Sequence, residues 1–415
     1  MSAVAQIMRQ QGQEVSGSDL YDSTIVAQLK ESGMNVFLQH LADHIDESID
    51  LLIFSEAIPE TNAERVRARG LDIPSISYAE ALGLLSREKK TIAVAGTHGK
   101  TTVTGMLTSI LLQTELDPTV VIGSTLDLLE GRNYRVGDGE WFLTEACEYR
   151  GNFLSLSPFI VLINNLEPDH LDFFQSEEAY FACFQELIEK IPADGYLVLF
   201  EHAVDHLDLH QVKGQVLVLV DEPLPHFPLQ LPGRHNQHNA YAAQAVAGLL
   251  NVSEGVIRAG LSTYRGTWRR FEFKGRLHGA HLYDDYGHHP TEIVATLQAA
   301  RERYPDAHLT VIFQPHQYSR TRAFFDDFAV SFSGADEVWI TDIYRTRDSE
   351  EDVKAVSSER LVEAVREHQP VRYLTQTDLA TALTSHAQEN QVYLVMGAGD
   401  INQLFQDLEL DQKPC

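Results

Sequence analysis

Residues Gly96–Thr102, with the sequence GTHGKTT, decide the fold of this 415-residue chain. They follow the apolar run Thr91–Ala95 and lead into the apolar-periodic stretch Thr101–Leu112. A strand, a glycine-rich turn and a helix N-terminus in this order hold phosphate through backbone N–H groups and the helix dipole. Lys100 would contact the β- and γ-phosphates of a nucleotide, and the Thr101 hydroxyl would face Mg²⁺. The sequence therefore predicts a phosphate-binding loop in an α/β domain.

The loop is a shortened form of the general phosphate-loop pattern. That pattern, G-x-x-x-x-G-K-[ST], requires glycine at position 94, where this chain has Val94. The alternative is a Gly-Lys-Thr run that occurs by chance in a surface turn. The strand-like segment before the loop and the helix-like segment after it favour the phosphate site.

Composition limits the classes of protein to which the chain can belong. Its length predicts about three domains, and its 44% hydrophobic content is typical of a globular protein. No apolar run reaches the ~18 residues of a membrane span, and the N-terminus lacks signal-peptide character. A net charge of −28 disfavours nucleic acid and anionic membranes as partners. Three cysteines without a C-x-x-C pair suit a reducing cytoplasm.

Strand-like and helix-like segments alternate along the chain, which predicts α/β layers with mostly parallel sheets. We expect a small Rossmann-like domain at residues 1–88, the phosphate-loop domain at 89–272 and a C-terminal Rossmann-like domain at 273–415. The polar run Ser86–Lys90 would link the first two domains.

The predicted first domain begins with a helix, Ser2–Gln11, where a doubly wound sheet would have its central strand and phosphate loop. Its first strand-like segment is Glu14–Ser16. We therefore expect a gap in the middle of this sheet, and we expect Met1 to be an internal methionine of a longer natural chain.

Two further segments of the middle domain carry polar residues where strands end. The run WFLTEACE at 141–148 ends in carboxylates, and LINNLEPDH at 162–170 ends in a loop with Glu167, Asp169 and His170. Ligands of open α/β sheets bind at the carboxyl ends of strands, and Mg²⁺ prefers carboxylate and phosphate oxygens. A solvated glutamate and a packed histidine are the alternatives for Glu145 and His170. Their position beside Lys100 favours a site.

Two segments near the end of the middle domain allow two interpretations each. Asn236 and Asn239 lie three residues apart at the opening of a predicted helix, Ala240–Leu250, where they could bind an adenine edge or cap the helix. In the segment Trp268–Glu272, an arginine could reach a γ-phosphate or form a surface ion pair.

Three loops of the third domain are predicted to share one sheet edge. They are DDYGHHP at 284–290, QPHQYSRTR at 314–322 and the glycine-containing MGAGDI at 396–401. The spacing of the first loop fits no zinc pattern, which favours a loop that faces a nucleotide or substrate. The arginines and histidine of the second loop suit carboxylate or phosphate.

In this order the motifs resemble those of the Mur ligase family of peptidoglycan precursor synthesis, over nearly the whole chain. The runs that begin at Asp284 and Gln314 resemble the members that add L-alanine. The resemblance implies a three-domain fold and ATP-dependent joining of L-alanine to UDP-N-acetylmuramate through an acyl phosphate. The alternatives are recycling of a murein tripeptide onto the same sugar nucleotide, and a non-catalytic homologue that binds nucleotide or sugar nucleotide. Gln317 stands where many relatives carry a basic residue.

The resemblance also implies roles for individual residues. The catalytic set is Lys100, Glu145, His170, Arg270, His288, His316 and Arg320. The ATP contacts are Gly96, Thr97, His98, Gly99, Lys100, Thr101, Thr102, Asn236, Asn239, Arg270 and Asp285. The ligands of Mg²⁺, with Mn²⁺ as the alternative cation, are Thr101, Glu145 and His170. The other substrate contacts are Ser18, Asp19, His289 and Arg322. We expect a monomer or a weak homodimer.

Overall fold

The computed structural model describes residues 1–169 and 173–411. The chain divides into two compact units. The first unit comprises Met1–Glu167 and Tyr180–Leu219, and the second comprises the described residues of 168–179 and 220–415. None of the described helices is long and apolar enough to cross a lipid bilayer.

Helices and strands alternate through most of the described chain, which confirms the α/β class. The strands are β1 Ser16–Ser18, β2 Asn35–Phe37, β3 Leu52–Phe54, β4 Ser75–Ser77, β5 Lys90–Ala95, β6 Thr119–Leu126, β7 Arg132–Arg135, β8 Trp141–Glu145, β9 Pro158–Ile163, β10 Tyr196–Phe200, β11 Gln215–Leu219, β12 Glu272–Leu277, β13 Ala280–Asp285, β14 His308–Phe313, β15 Glu337–Ile340, β16 Val371–Tyr373 and β17 Gln391–Met396. The helices are α1 Ser2–Gln10, α2 Thr24–Glu31, α3 Ala63–Gly70, α4 Tyr78–Arg87, α5 Lys100–Leu111, α6 Glu177–Glu189, α7 Glu201–Val204, α8 Arg234–Leu249, α9 Glu254–Thr263, α10 Pro290–Arg303, α11 Tyr318–Ala323, α12 Phe325–Ser331, α13 Glu350–Ala355, α14 Ser358–Arg366 and α15 Gln376–His386.

The large sheet of the first unit has the strand order β11-β10-β9-β5-β8-β6-β7. All neighbours are parallel except β6 and β7. Strand β5 is buried from Thr91 to Ala95, as expected for a parallel strand covered on both faces. It lies between β8 and β9, so the loops that follow these three strands leave the sheet side by side.

The N-terminal strands form two separate parallel pairs, β1 with β2 and β3 with β4. The expected interruption of this sheet is therefore confirmed. The predicted position of the first strand was wrong by two residues, since β1 starts at Ser16 and not at Glu14. Its start is fixed by pairing with β2, where Ser16 lies opposite Asn35, and local residue preferences do not encode that register.

The sheet of the second unit has the order β12-β13-β17-β14-β15-β16. Only the β12–β13 pair is antiparallel among these strands. Buried side chains form two apolar clusters that include Phe313 and Trp339 respectively. Because β13, β17, β14 and β15 are parallel neighbours, the loops after them meet at one edge, as the sequence predicted.

The predicted helix starts at Ser2 and Thr101 agree with the structure to within one residue, and the start at Ala240 was wrong. Pro290 occupies the first turn of α10, where proline's missing N–H costs nothing, and Ser176 Oγ accepts the Ala179 N–H at 3.3 Å. Helix α8, however, begins at Arg234, six residues before the predicted start at Ala240. The polar run 234–239 is helical because part of it, including Asn236, is buried, a tertiary effect that overrides weak local propensity.

Candidate active site

The glycine loop after β5 uses glycine where the backbone requires it. Gly96 has φ +122°, and a Cβ there would lie 2.9 Å from the carbonyl oxygen of Asn165. Gly99 has φ +81° and immediately precedes α5. Both conformations are costly for residues with a side chain. The loop therefore turns tightly and directs the first N–H groups of α5 towards the sheet edge.

The loop after β9 holds the glycine loop in place. The His98 N–H donates to Asn165 Oδ1 at 2.7 Å, and the His98 carbonyl accepts from the side-chain amides of Asn164 at 3.1 Å and Asn165 at 2.9 Å. The Thr97 hydroxyl donates to the Glu167 carbonyl at 2.6 Å and accepts the Glu167 N–H at 2.9 Å. These bonds rigidify the loop before any ligand binds.

Lys100 is a largely buried ammonium in this loop. It donates to the carbonyl oxygens of Gly96 at 2.5 Å and Thr97 at 3.0 Å, and to Glu148 Oε2 at 2.8 Å. Burial acts to lower the pKa of Lys100, but the nearby Glu148, Cys147 and Glu145 outweigh it and raise the pKa above its ordinary value. Lys100 is thus charged at neutral pH.

Glu145, the last residue of β8, contacts the first turn of α5. Its Oε2 accepts the Thr101 hydroxyl at 2.9 Å, and its Oε1 accepts the Gly123 N–H at 2.6 Å. A hydroxyl and a carboxylate side by side are hard oxygen ligands of the kind that Mg²⁺ prefers. The residues present therefore fit a divalent cation beside the glycine loop. The third predicted ligand, His170, lies outside the described residues.

The second unit has an arginine pair in which the two residues have different surroundings. Arg269 is buried and donates to Asp284 Oδ1 at 3.1 Å and to the carbonyl oxygens of Gly397 at 2.5 Å and Gly399 at 3.1 Å. Arg270 is partly exposed and pairs with Glu292 at 3.3 Å. Only Arg270 was predicted as a site residue, and it is the one whose side chain reaches solvent.

The loop after β13 is fixed by two carboxylates, those of Asp285 and Glu292, which accept backbone N–H groups. Asp285 accepts the N–H groups of Phe271 at 2.8 Å and Gly287 at 2.7 Å, and burial raises its pKa although Arg270 opposes this. Glu292 Oε2 accepts the N–H groups of His288 at 3.0 Å and His289 at 3.3 Å. Both carboxylate oxygens of Asp285 therefore accept protein N–H groups, and the role of this loop stays a prediction.

His288, His316 and Arg320 lie together in the second unit. The two imidazole rings are 5.9 Å apart. Arg320 Nη1 lies 3.2 Å from His316 Nδ1, and Nη2 lies 3.2 Å from Asp169 Oδ1. Burial lowers the pKa of His288 to about 4. Burial, with His288 and Arg320, lowers the pKa of His316 to about 3, so both rings are neutral at neutral pH. The structure thus brings together three of the predicted catalytic residues.

The two asparagines near the start of α8, Asn236 and Asn239, are buried. The Asn236 amide donates to the Pro232 carbonyl at 2.6 Å, and the helix has Gly233 at its N-cap with no side-chain cap. Asn239 is 5% exposed. The capping interpretation is therefore wrong in its simple form, and adenine binding stays a prediction.

The predicted substrate contacts outside these clusters have local partners. Ser18 donates to Glu64 Oε2 at 2.6 Å. Asp19 is exposed and accepts the Tyr21 N–H at 3.0 Å. Arg322 is about half exposed and lies 3.2 Å from Asp352. Thr102 is buried in the first turn of α5. The roles of these residues stay predictions.

Sequence reasoning missed three residues that organise the site. Glu148 holds Lys100, Arg269 joins β13 to the loop after β17, and Glu292 accepts the N–H groups of the paired histidines. A second carboxylate three residues after Glu145 was a usable signal for Glu148. A buried arginine beside an exposed one has no local signal, because burial is decided by packing.

Three family models match the chain. The "Mur ligase family, catalytic domain" matches residues 1–90, the "Mur ligase middle domain" matches 94–219, and the "Mur ligase, glutamate ligase domain" matches 269–399. A UDP-N-acetylmuramate–L-alanine ligase of Alkaliphilus metalliredigens is 37% identical over 438 residues, covering 98% of this chain and 94% of that protein.

Solved structures agree with these matches. A UDP-N-acetylmuramate–alanine ligase from Thermotoga maritima has a TM-score of 0.80 and 28% identity, covering 98% of this chain and 95% of that one. A murein peptide ligase from Psychrobacter arcticus has a TM-score of 0.71 and 24% identity, with the same coverage. The second likeness concerns the fold alone.

Proposed function

Because this chain belongs to the Mur ligase family, we propose that it joins L-alanine to UDP-N-acetylmuramate at the expense of ATP, in peptidoglycan precursor synthesis. The observation that carries this is the convergence of Lys100, Thr101 and Glu145 beside a rigid glycine loop. The 37% identity to an L-alanine ligase over nearly the whole chain supports the choice of substrate.

The reaction has two chemical stages. The lactyl carboxylate of the sugar nucleotide attacks the γ-phosphorus of ATP to give an acyl phosphate and ADP. The amine of L-alanine then attacks the acyl carbon, the amide forms and phosphate leaves. The protein forms no covalent intermediate, so its contribution is positioning and charge stabilisation.

In the first unit, the glycine loop offers backbone N–H groups and the Lys100 ammonium to the phosphates. Thr101 and Glu145 would hold Mg²⁺, which neutralises phosphate charge when bound. The Lys100 ammonium is a compact charge on a flexible side chain, and it now donates to a carbonyl oxygen and to Glu148. It can therefore exchange some of these acceptors for phosphate oxygens without a change of fold.

The remaining residues receive roles by family resemblance. We assign Asn236, Asn239, Arg270 and Asp285 to the nucleotide. We assign His288, His289, His316, Arg320 and Arg322 to L-alanine and the acyl phosphate, and Ser18 and Asp19 to the sugar nucleotide. Domains at 1–88, 89–272 and 273–415, a cytoplasmic location and a monomer or weak homodimer complete the proposal.

The test is phosphate release by the purified chain with ATP, Mg²⁺, UDP-N-acetylmuramate and one amino acid at a time. We expect release that requires the sugar nucleotide and is greatest with L-alanine compared with glycine or L-serine. The same assay with a murein tripeptide in place of L-alanine tests the recycling alternative. Sugar-nucleotide binding in a calorimeter without turnover for any amino acid would instead support a non-catalytic homologue.

A further inference from the structure

Tyr344, in the loop after β15, is fixed next to His316 by the backbone. The Tyr344 N–H donates to the Pro315 carbonyl at 2.8 Å, and the Gln317 N–H donates to the Tyr344 carbonyl at 2.9 Å. Together they form a parallel bridge between His316 and Tyr344 beyond the ends of β14 and β15. The backbone spacing of the two residues is therefore independent of their side-chain conformations.

The rings of these two residues are also parallel. Their centroids are 5.5 Å apart with 9° between the planes, an offset stack. The tyrosine ring also contacts the glycine loop after β17, since a Cβ on Gly399 would lie 2.6 Å from Tyr344 Cγ. A side chain at position 399 would thus displace the ring. Tyr344 is held by its neighbours, and it in turn limits how far the imidazole can rotate.

The contact with Arg320 sets the tautomer of His316. A guanidinium has five donors and no acceptor, so His316 Nδ1, which lies 3.2 Å from Arg320 Nη1, acts as the acceptor. A neutral ring then carries its proton on Nε2 and offers that N–H as a donor.

A second donor of the same cluster points to a ligand. Arg320 Nε is buried and makes no hydrogen bond to any residue that the structure describes. The other guanidinium nitrogens contact His316, Gln317 and Asp169. A buried donor without a partner costs free energy unless a ligand supplies an acceptor. Guanidinium and imidazole N–H groups are both donors of the kind that a carboxylate accepts.

We propose that Tyr344 is a positioning residue that holds His316 as an Nε2–H donor to the α-carboxylate of the amino-acid substrate. The proposal rests on the proposed function, because it takes L-alanine as that substrate. It adds a residue to the proposed substrate site and names a specific atom for carboxylate recognition.

The test compares Tyr344→Ala and Tyr344→Leu with Tyr344→Phe, which keeps the ring and removes only the hydroxyl. In the phosphate-release assay, loss of the aromatic stack is expected to raise KM for L-alanine about 5- to 10-fold. The kcat and the KM for ATP stay unchanged, and Tyr344→Phe behaves as the wild type. The leucine variant preserves apolar volume, so the measurement can still be made if the alanine variant does not fold.

Two further measurements separate positioning from general damage. The preference in kcat/KM for L-alanine over L-alaninamide, which lacks the carboxylate, should fall in Tyr344→Leu. Imidazole ¹⁵N spectra should show His316 protonated at Nε2 in the wild type and in Tyr344→Phe, and a mixture of tautomers in Tyr344→Leu.

Failure of this proposal is distinguishable from failure of the proposed function. A wild type that does not use L-alanine contradicts both. A wild type that uses L-alanine, with a folded Tyr344→Leu variant of unchanged KM and unchanged tautomer, contradicts the positioning role alone. Equal losses towards L-alanine and ATP would also overturn it, because they indicate only structural damage.

Discussion

Lys100 in the first unit and Arg269 in the second are both largely buried cations at a sheet edge, but their partners differ in kind. Lys100 is 15% exposed, and its three short contacts are two carbonyl oxygens and the carboxylate of Glu148. Arg269 is 3% exposed, and its guanidinium donates to Asp284 and to two carbonyl oxygens of the loop after β17.

The difference shows how two side chains of equal charge can suit different tasks. An ammonium on a flexible stem can rotate and exchange partners, whereas a planar guanidinium with donors on fixed vectors loses several bonds at once if it moves. Lys100 is therefore suited to donate hydrogen bonds to phosphate oxygens. Arg269 holds the edge of the second unit's sheet, and the proposed nucleotide contact falls on its partly exposed neighbour Arg270.

The largest expected effect is on stability. Arg269→Ala leaves Asp284 as a buried carboxylate without its cation, which should cost about 3–5 kcal/mol in free energy of unfolding. Denaturant unfolding measures this directly. The matched control is Arg270→Ala, whose partly exposed pair with Glu292 should cost about 1 kcal/mol or less. Equal losses of unfolding free energy in the two variants would contradict the distinction between a structural Arg269 and a partly exposed Arg270.

Lys100→Ala should abolish most of the activity while the protein still folds, although Glu148 is left buried without its cation. Loss of one preorganised hydrogen-bond donor to the phosphates is expected to lower kcat about 10²- to 10³-fold. Phosphate release measures activity, and circular dichroism checks the fold. Lys90→Ala, which removes an exposed lysine at the start of β5, the strand that precedes the glycine loop, is the control and should keep wild-type activity. Activity near the wild-type level in Lys100→Ala would contradict its phosphate role.

The pH dependence of Arg269→Ala sharpens the structural half of the comparison. Burial raises the pKa of Asp284 to about 6 even with Arg269 present. A carboxyl with a raised pKa binds its proton more tightly in the folded state, so its contribution to stability falls as pH rises from about 4 through about 6. Without Arg269 the ionised form is still less favourable.

The stability difference between Arg269→Ala and the wild type should therefore shrink by roughly 1–3 kcal/mol between pH 7.5 and pH 5. The measurement is the midpoint of denaturant unfolding for both proteins at each pH. A difference that stays constant over this range would mean that Asp284 does not titrate as described.

The smallest expected effect concerns an exposed pair. Arg322 is about half exposed and lies near Glu351 and Asp352, so Arg322→Ala should change the free energy of unfolding by less than about 1 kcal/mol. If Arg322 also contacts substrate, KM for a substrate rises while stability is unchanged. An unfolding loss as large as that of Arg269→Ala would remove the distinction between buried and exposed cations.

Much of the site could be predicted from sequence because its signals are local. The run 96–102 has its glycines where the backbone needs positive φ, and polar residues at the ends of buried strands mark the sheet edge. The parallel order of β9, β5 and β8 then brings Lys100 and Glu145 to one edge, as expected from general rules of α/β folds.

Other features were decided only by the tertiary structure. The start of β1 depends on its pairing with β2, and the six additional residues of α8 are helical because part of that run is buried. Which of Arg269 and Arg270 is structural also depends on burial, because the sequence shows two adjacent arginines of equal charge. Local chemistry thus determined the phosphate loop, whereas long-range packing determined which charges are enclosed, since burial is a property of residues far apart in the chain.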